Sequence, residues 1–102
     1  MSITKDNLEF IKRHLNVTFS DADNDLKIQE MIEDGIIKLQ HILGKDDVDF
    51  FKPSQERILF KSYMDYCYNN CEEEFEEAYS SEINRIRRKY SVMDVINDEK
   101  KI

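Results

Sequence analysis

Cys67 and Cys71 are the first candidates for chemistry, because cysteine and histidine are the side chains that most often bind zinc. A structural zinc site needs four ligands, commonly in pairs separated by two residues. Here three residues separate the cysteines, in CYNNC, and the two histidines, His14 and His41, are isolated. The spacing argues against a metal site. We predict that Cys67 is a small core residue and that Cys71 lies in the first turn of the next helix.

A run of glutamates follows the cysteines, in EEEFEE at residues 72–77. Two carboxylates can form a catalytic pair or bind a cation, but acidic residues are also typical of a solvated helix start, where they complement the helix dipole. We favour the second interpretation. The sequence has no Ser–His–Asp set, no phosphate-binding glycine loop and no nucleotide fingerprint. We therefore predict that the chain is not an enzyme and needs no cofactor.

One basic cluster is present, RIRRK at residues 85–89. Such a cluster can contact nucleic acid, complement the C-terminus of its own helix, or bind an acidic partner protein. The formal net charge of −7 argues against a reader of duplex DNA, whose affinity comes largely from neutralising phosphates. It is compatible with a protein that surrounds DNA without gripping it. We take binding of an acidic protein surface as the functional hypothesis.

The location of the chain is predicted from what the sequence lacks. No stretch approaches the ~20 apolar residues of a membrane helix, and MSITKDNLEF at the N-terminus has no apolar signal-peptide core. We expect the cytoplasm in which the chain is made, no membrane contact, and reduced cysteines.

The cysteines, the glutamates and the basic cluster must be positioned by helices. Two glycines and one proline in 102 residues are too few for the turns of an all-β fold. Thr4 is a predicted N-cap, Gly44 a predicted helix end, and Pro53 suits the first turn of the third helix. Asn70, with Glu73 three residues on, predicts a capping box that starts the fourth helix, which ends near residue 90. We predict an all-α fold, a small bundle of four main helices with a flexible C-terminal tail. A single helical domain spans 1–92, and the tail spans 93–102.

Three apolar features fall outside ordinary core stripes. Gly35 lies within the apolar stripe of the second helix, and we expect it to let a neighbouring helix approach closely. Phe50 and Phe51 lie in a loop and are expected to anchor it to the core or to a partner. The segment after Tyr90, SVMDVINDEKKI, has more apolar residues than a solvated tail needs, which suggests docking on another surface.

The layout of residues 3–92 resembles that of the head–tail connector (adaptor) proteins of tailed bacteriophages. A short capped helix, ITKDNLEFIKRHLNV, precedes the acidic break DADND and the aliphatic helix IQEMIEDGIIKLQHILG. The most telling pieces are PSQERILFKSYMDYCYNN, an aromatic helix that ends in Tyr-Asn-Asn, and EEEFEEAYSSEINRIRRKYSV, an acidic helix that ends in a basic patch. The resemblance is one of pattern, and no single motif carries it.

The resemblance implies a structural virion protein rather than an enzyme. Proteins of this family are small helical subunits that form a ring of about a dozen copies under the portal. The ring extends the DNA channel and is the platform for the stopper, or tail-completion, protein and the tail. The resemblance implies that the partners are the portal, the stopper and further copies of the chain. It also implies that DNA passes through the ring without specific binding. The expected location is the neck of the virion, after assembly in the host cytoplasm.

The expected subunit or portal contacts combine this resemblance with the residue pattern. The acidic start and basic end of the fourth helix can pair across neighbours in a head-to-tail ring, and an acidic lumen would repel DNA. The expected interface residues are Phe50, Phe51, Arg85, Arg87, Arg88, Val92, Met93, Val95 and Ile96. The alternative is a small acidic helical regulator, a DNA mimic or antitoxin-like protein, that binds one basic protein partner.

Overall fold

The computed structural model describes residues 3–18 and 21–100, and for residues 93–100 it describes the backbone alone. The described residues contain helices and no strand, which confirms the all-α prediction. The elements are α1 (Lys5–His14), α2 (Ala22–Leu43), α3 (Gln55–Tyr68), a 3-10 turn (Glu72–Glu74), α4 (Phe75–Ala78) and α5 (Ser80–Lys100).

Side-chain caps start the first three helices. The Thr4 hydroxyl accepts from the Asn7 N–H at 3.1 Å, as predicted. Asp21 accepts from the second residue of α2 in the same way. Ser54 accepts from the Arg57 N–H at 3.2 Å and is the N-cap of α3. Pro53 therefore precedes the helix instead of lying in its first turn, because Ser54 can satisfy a free N–H and proline cannot.

The same three helices end in left-handed residues, Asn16, Gly44 and Asn70, with φ of 60°, 75° and 57°. After α3, the Cys71 N–H donates to the Tyr66 carbonyl at 2.9 Å, and the Asn70 N–H donates to the Cys67 carbonyl. This pair of bonds is a Schellman motif, and α1 and α2 end with the same pattern. The prediction for Gly44 is confirmed. The predicted capping box at Asn70 is wrong, because Asn70 closes α3 and has the wrong backbone conformation for an N-cap.

The left-handed turn at Asn70 gives a prediction that compares two substitutions at one site. Asn70→Ala should lower the free energy of unfolding by about 1 kcal/mol, because a Cβ without a polar side chain disfavours positive φ. Asn70→Gly should leave it unchanged or raise it by up to about 1 kcal/mol, since glycine adopts this conformation freely. Urea unfolding followed by circular dichroism would measure both. Equal losses in the two variants would contradict the assignment of strain to φ.

The predicted fourth helix is divided. The glutamates form the 3-10 turn and α4, a break follows at Tyr79, and α5 begins at Ser80. Phe75 is fully buried against Tyr63, Tyr66 and Tyr79, with ring centroids 4.7–5.5 Å apart. This aromatic contact fixes the glutamate segment on α3 before the long helix starts. The backbone of α5 stays helical to Lys100, beyond the end predicted near Tyr90.

The core lies where α2 meets α3 and α5. Gly35 is buried in the middle of α2, and a Cβ built on it would lie 3.7 Å from Phe60 Cε1 and 3.5 Å from Tyr63 Cε2, and closer still to Met64 Cε. The predicted close approach of a neighbouring helix at Gly35 is confirmed, and that helix is α3. The fully buried side chains are Ile11, Ile32, Leu39, Leu43, Phe50, Phe60, Met64 and Phe75.

Candidate functional site

The cysteines lie at the junction between α3 and the 3-10 turn, and both are free thiols that are partly buried. Burial is the main reason that the pKa of Cys67 is raised, so its reactive thiolate is disfavoured. Cys71 precedes the 3-10 turn instead of lying inside a helix. Among the described residues, no group of three or more His, Cys, Asp or Glu side chains is placed to hold a metal ion.

The histidines occupy different environments. The Nε2 of His14 lies 3.0 Å from the Asp65 carboxylate, and this contact joins α1 to α3. His41 is exposed in the last turn of α2, as expected of a helix-end residue. Among the described residues, neither imidazole forms a hydrogen bond with a cysteine or serine side chain.

A buried ammonium joins the first two helices. Lys12 is only 3% exposed, and its Nζ lies 2.8 Å from Asp25 Oδ1 and 3.8 Å from Glu9 Oε1. The hydrogen bond with Asp25 raises the pKa of Lys12 more than burial lowers it. A charged side chain is almost never buried without such a partner. The pair positions α1 on α2.

The basic cluster of α5 divides into residues with different neighbours. Lys89 Nζ donates to Glu56 Oε1 at 2.8 Å, so it is used within the fold. Arg87 lies on the α2 side, beside His41 and Ile42. Arg85 lies on the α3 side, in a groove that also contains Ile58. No described carboxylate forms an ion pair with the arginines of this cluster, and the Glu82–Arg85 pair that the spacing permits is not formed.

Glu56 of α3 accepts the hydrogen bonds that join this helix to α5. Besides the Lys89 bond, its Oε2 accepts from the Tyr90 hydroxyl at 3.2 Å. Desolvation raises the pKa of Glu56, but the hydrogen bonds from Lys89, from the backbone and from Tyr90 outweigh it, and the net pKa is lowered. Burial, and then the charge of Glu56, raise the pKa of Tyr90. The ammonium of Lys45 lies 4.9 Å above the Tyr90 ring and adds a cation–π contact.

This arrangement predicts a pH-dependent contribution to stability. A carboxyl with a lowered pKa in the fold stabilises the fold above its ordinary pKa of 4.5, and that contribution is lost as the pH falls through the lowered value. Glu56→Gln should therefore lower the free energy of unfolding by about 1 kcal/mol at pH 7. The difference from the wild type should vanish at a pH well below 4.5. Urea unfolding across this range would measure it.

The control for that prediction is Glu73→Gln, which removes an exposed carboxylate without an ion-pair partner among the described residues. Its effect should stay within about 0.5 kcal/mol at every pH. A loss in Glu56→Gln that persists unchanged at low pH would contradict the role of the charge, since the neutral carboxyl would then stabilise equally well.

Two exposed surfaces of opposite charge remain. We call the first the acidic groove, and it lies between the middle of α2 and the glutamate segment, lined by Ile37, Ile42, Glu72, Glu73 and Glu76. Lys38 and His41 line its α2 side. We call the second the basic face, which is formed by Arg85, Arg88 and Val92 of α5. These three are exposed, and their spacing of three and four residues places them on one side of the helix.

The predicted interface residues are thus only partly available. Phe50 was expected at an interface but is not available there, because it is 1% exposed and its ring stacks on that of Phe60 with centroids 4.9 Å apart. Phe51 is half-buried against Phe10 and Phe60. Both anchor the loop to the core, which was the first of the two roles considered. The exposed members are Arg85, Arg87, Arg88 and Val92. The side chains of Met93, Val95 and Ile96 lie outside the described residues.

Sequence reasoning missed the acidic groove, because it considered the glutamates as a helix start and as partners for a neighbouring subunit but did not place Ile37 and Ile42 beside them. The available signal was Ile37, an isoleucine at the edge of the α2 stripe that is 66% exposed.

No helix in the described part of the chain is long and apolar enough to span a membrane. Comparisons with protein-family models, with curated proteins and with solved structures found no match.

Proposed function

We propose that this chain is a head–tail connector (adaptor) subunit of a tailed bacteriophage. In this proposal, about a dozen copies form a ring under the portal. The ring extends the DNA channel and is the platform for the stopper and the tail, in the neck of the virion. The four longer helices, α1, α2, α3 and α5, act as the rigid bundle of each subunit. The pattern of residues 3–92 and the all-α fold support this proposal.

The observation that carries the proposal is the presence of two different exposed surfaces of opposite charge on one small helical subunit. A closed ring is built from heterologous contacts, in which one surface of a subunit binds a different surface of the next. The acidic groove and the basic face meet this requirement.

The charge of the chain supports a passive relation to DNA. Each subunit carries a formal net charge of −7, and exposed carboxylates are concentrated in residues 73–77. A ring of such subunits repels phosphates at short range, so DNA can pass without being held. The C-terminal segment, 93–102, is assigned to portal contact, with Met93, Val95 and Ile96 among its apolar residues.

The test is native mass spectrometry of the purified chain mixed with the portal ring encoded in the same genome. A complex that carries about a dozen copies of the chain on one portal is the expected result. The portal alone and the chain alone are the controls, because a free monomer is compatible with ring assembly on the portal. An intact portal that binds no copy would refute the connector function.

The second candidate is a small acidic helical regulator that binds one basic protein. The exposed glutamates at 73, 74, 76 and 77 favour it, since they present several carboxylates within two short turns. A protein of this class binds its partner at low stoichiometry and forms no ring. A pull-down that recovers one basic protein in a one-to-one complex, with no portal binding, would support it instead.

A further inference from the structure

The acidic groove and the basic face lie on different sides of the molecule. Helix α5 packs against both α2 and α3. Arg87 lies beside His41 and Ile42, on the side of α2 and the acidic groove. Arg85 lies in the groove with Ile58, on the side of α3. The basic face is therefore directed away from the acidic groove of its own copy, and only another molecule can join the two.

The two surfaces are complementary in polarity as well as in charge. Ile37 in the acidic groove is 66% exposed, and Val92 on the basic face is 58% exposed. Both isolated apolar side chains are bordered by charged groups. Ile37 lies in a groove with three carboxylates and the Lys38 ammonium, and Val92 lies beside guanidiniums. An apolar contact surrounded by charged pairs is the usual anatomy of a protein interface, and arginine is enriched there.

We propose that the basic face of one copy docks in the acidic groove of the next, with Val92 against Ile37 and with Arg85 and Arg88 beside Glu73 and Glu76. The contact is head-to-tail, so it leaves one groove and one face free at the ends of any open chain of copies. This inference rests on the proposed function in one respect: it identifies the subunit contact of the proposed ring.

Disulfide trapping tests the contact directly. In a background with Cys67→Ala and Cys71→Ser, one sample carries Ile37→Cys and a second carries Val92→Cys. When the two are mixed under mild oxidation, the expected product is a cross-linked heterodimer. Each variant alone should give little dimer, because a head-to-tail contact does not bring like surfaces together.

The matched control replaces Ile37→Cys by Leu26→Cys, an exposed apolar position near the start of α2. We expect the Ile37–Val92 mixture to give about tenfold more heterodimer than this control, the ratio that corresponds to about 1.4 kcal/mol of association free energy. Equal yields in the two mixtures, with subunits at ~1 mM so that a weak contact is populated, would overturn the proposed contact.

Charge reversal separates the basic face from the rest of the basic cluster. In the Val92→Cys copy, Arg88→Glu should reduce heterodimer formation by about tenfold or more, because it places a carboxylate against the acidic groove. Arg87→Glu makes the same change of charge one residue away, outside the basic face, and should have little effect. Equal losses in both variants would indicate general repulsion and overturn the assignment. Circular dichroism would confirm that both remain folded.

The outcome is distinguishable from failure of the connector function. If the portal carries many copies but the Ile37–Val92 disulfide does not form on it, this subunit contact is wrong and the connector function stands. If the disulfide forms in solution but the portal binds no copy, the chain self-associates head-to-tail and the connector function is wrong.

Discussion

Replacement of Phe75 by alanine is expected to lower the free energy of unfolding by about 3–5 kcal/mol. The Phe75 ring is completely buried and lies among Tyr63, Tyr66 and Tyr79. Truncation loses the burial of the ring and leaves a cavity that α4, with four residues, cannot fill by a small shift. A domain of this size has a total stability of about 5–15 kcal/mol. The loss is therefore a large fraction of the total stability.

The same substitution tests what positions the acidic groove. Phe75 is the buried residue of the segment that carries Glu72, Glu73 and Glu76. Amide hydrogen exchange of residues 72–79 should become faster in Phe75→Ala than in Phe75→Leu, which keeps an apolar side chain in the site. The control is Tyr68→Ala, because Tyr68 is exposed at the end of α3. Unchanged exchange in Phe75→Ala would show that other contacts hold the glutamate segment.

The features that were predicted correctly from the sequence are local. Thr4 as an N-cap and Gly44 as a left-handed helix end each depend on a few neighbouring residues. The role of Gly35 followed from a glycine within an apolar stripe, a position where glycine would otherwise weaken the helix. Asn70 shows the limit of local reasoning, since asparagine is suitable at either end of a helix. The Schellman bonds to Tyr66 and Cys67 decided between the two.

The features that were missed depend on contacts between distant residues. Lys89 and Glu56 are 33 residues apart, and neither spacing nor composition indicates that they pair. Lys12 has neighbours in sequence that suggest an exposed face, but α2 places Asp25 over it. The break at Tyr79 interrupts an apolar stripe that is continuous from Phe75 to Tyr90. Periodicity alone therefore predicts one helix where the aromatic packing of α3 produces two.

The division of the basic cluster has a consequence for function. A run such as RIRRK indicates one binding patch when it is read as sequence, yet a helix distributes these side chains around its circumference. Lys89 is held by Glu56, Arg87 faces α2, and Arg85 and Arg88 share the exposed side with Val92. The functional hypothesis for the cluster is thus restricted to Arg85 and Arg88, with Val92 as their apolar neighbour on the basic face. This is why Arg87→Glu is an informative control for Arg88→Glu.

Replacement of Gly35 by leucine is expected to destabilise the fold by about 3 kcal/mol or more. The position is buried, and even a Cβ there meets Met64 Cε, with Tyr63 Cε2 at 3.5 Å and Phe60 Cε1 at 3.7 Å. The branched side chain must push α3 away from α2, and this interface contains much of the core. Overpacking of this kind typically costs about 1–3 kcal/mol, with larger values where the backbone must move.

Gly35→Ala separates the two effects that act at this position. Alanine favours the helix by about 1 kcal/mol relative to glycine, and its methyl group displaces only the end of Met64, a flexible side chain. These two opposing contributions should nearly cancel, so the free energy of unfolding should change by less than about 1 kcal/mol. Asp34→Leu is the matched control, because it adds the same side chain to α2 at an exposed position. If urea unfolding gave equal losses for Gly35→Leu and Asp34→Leu, leucine itself would be responsible, and close α2–α3 packing would not explain the glycine.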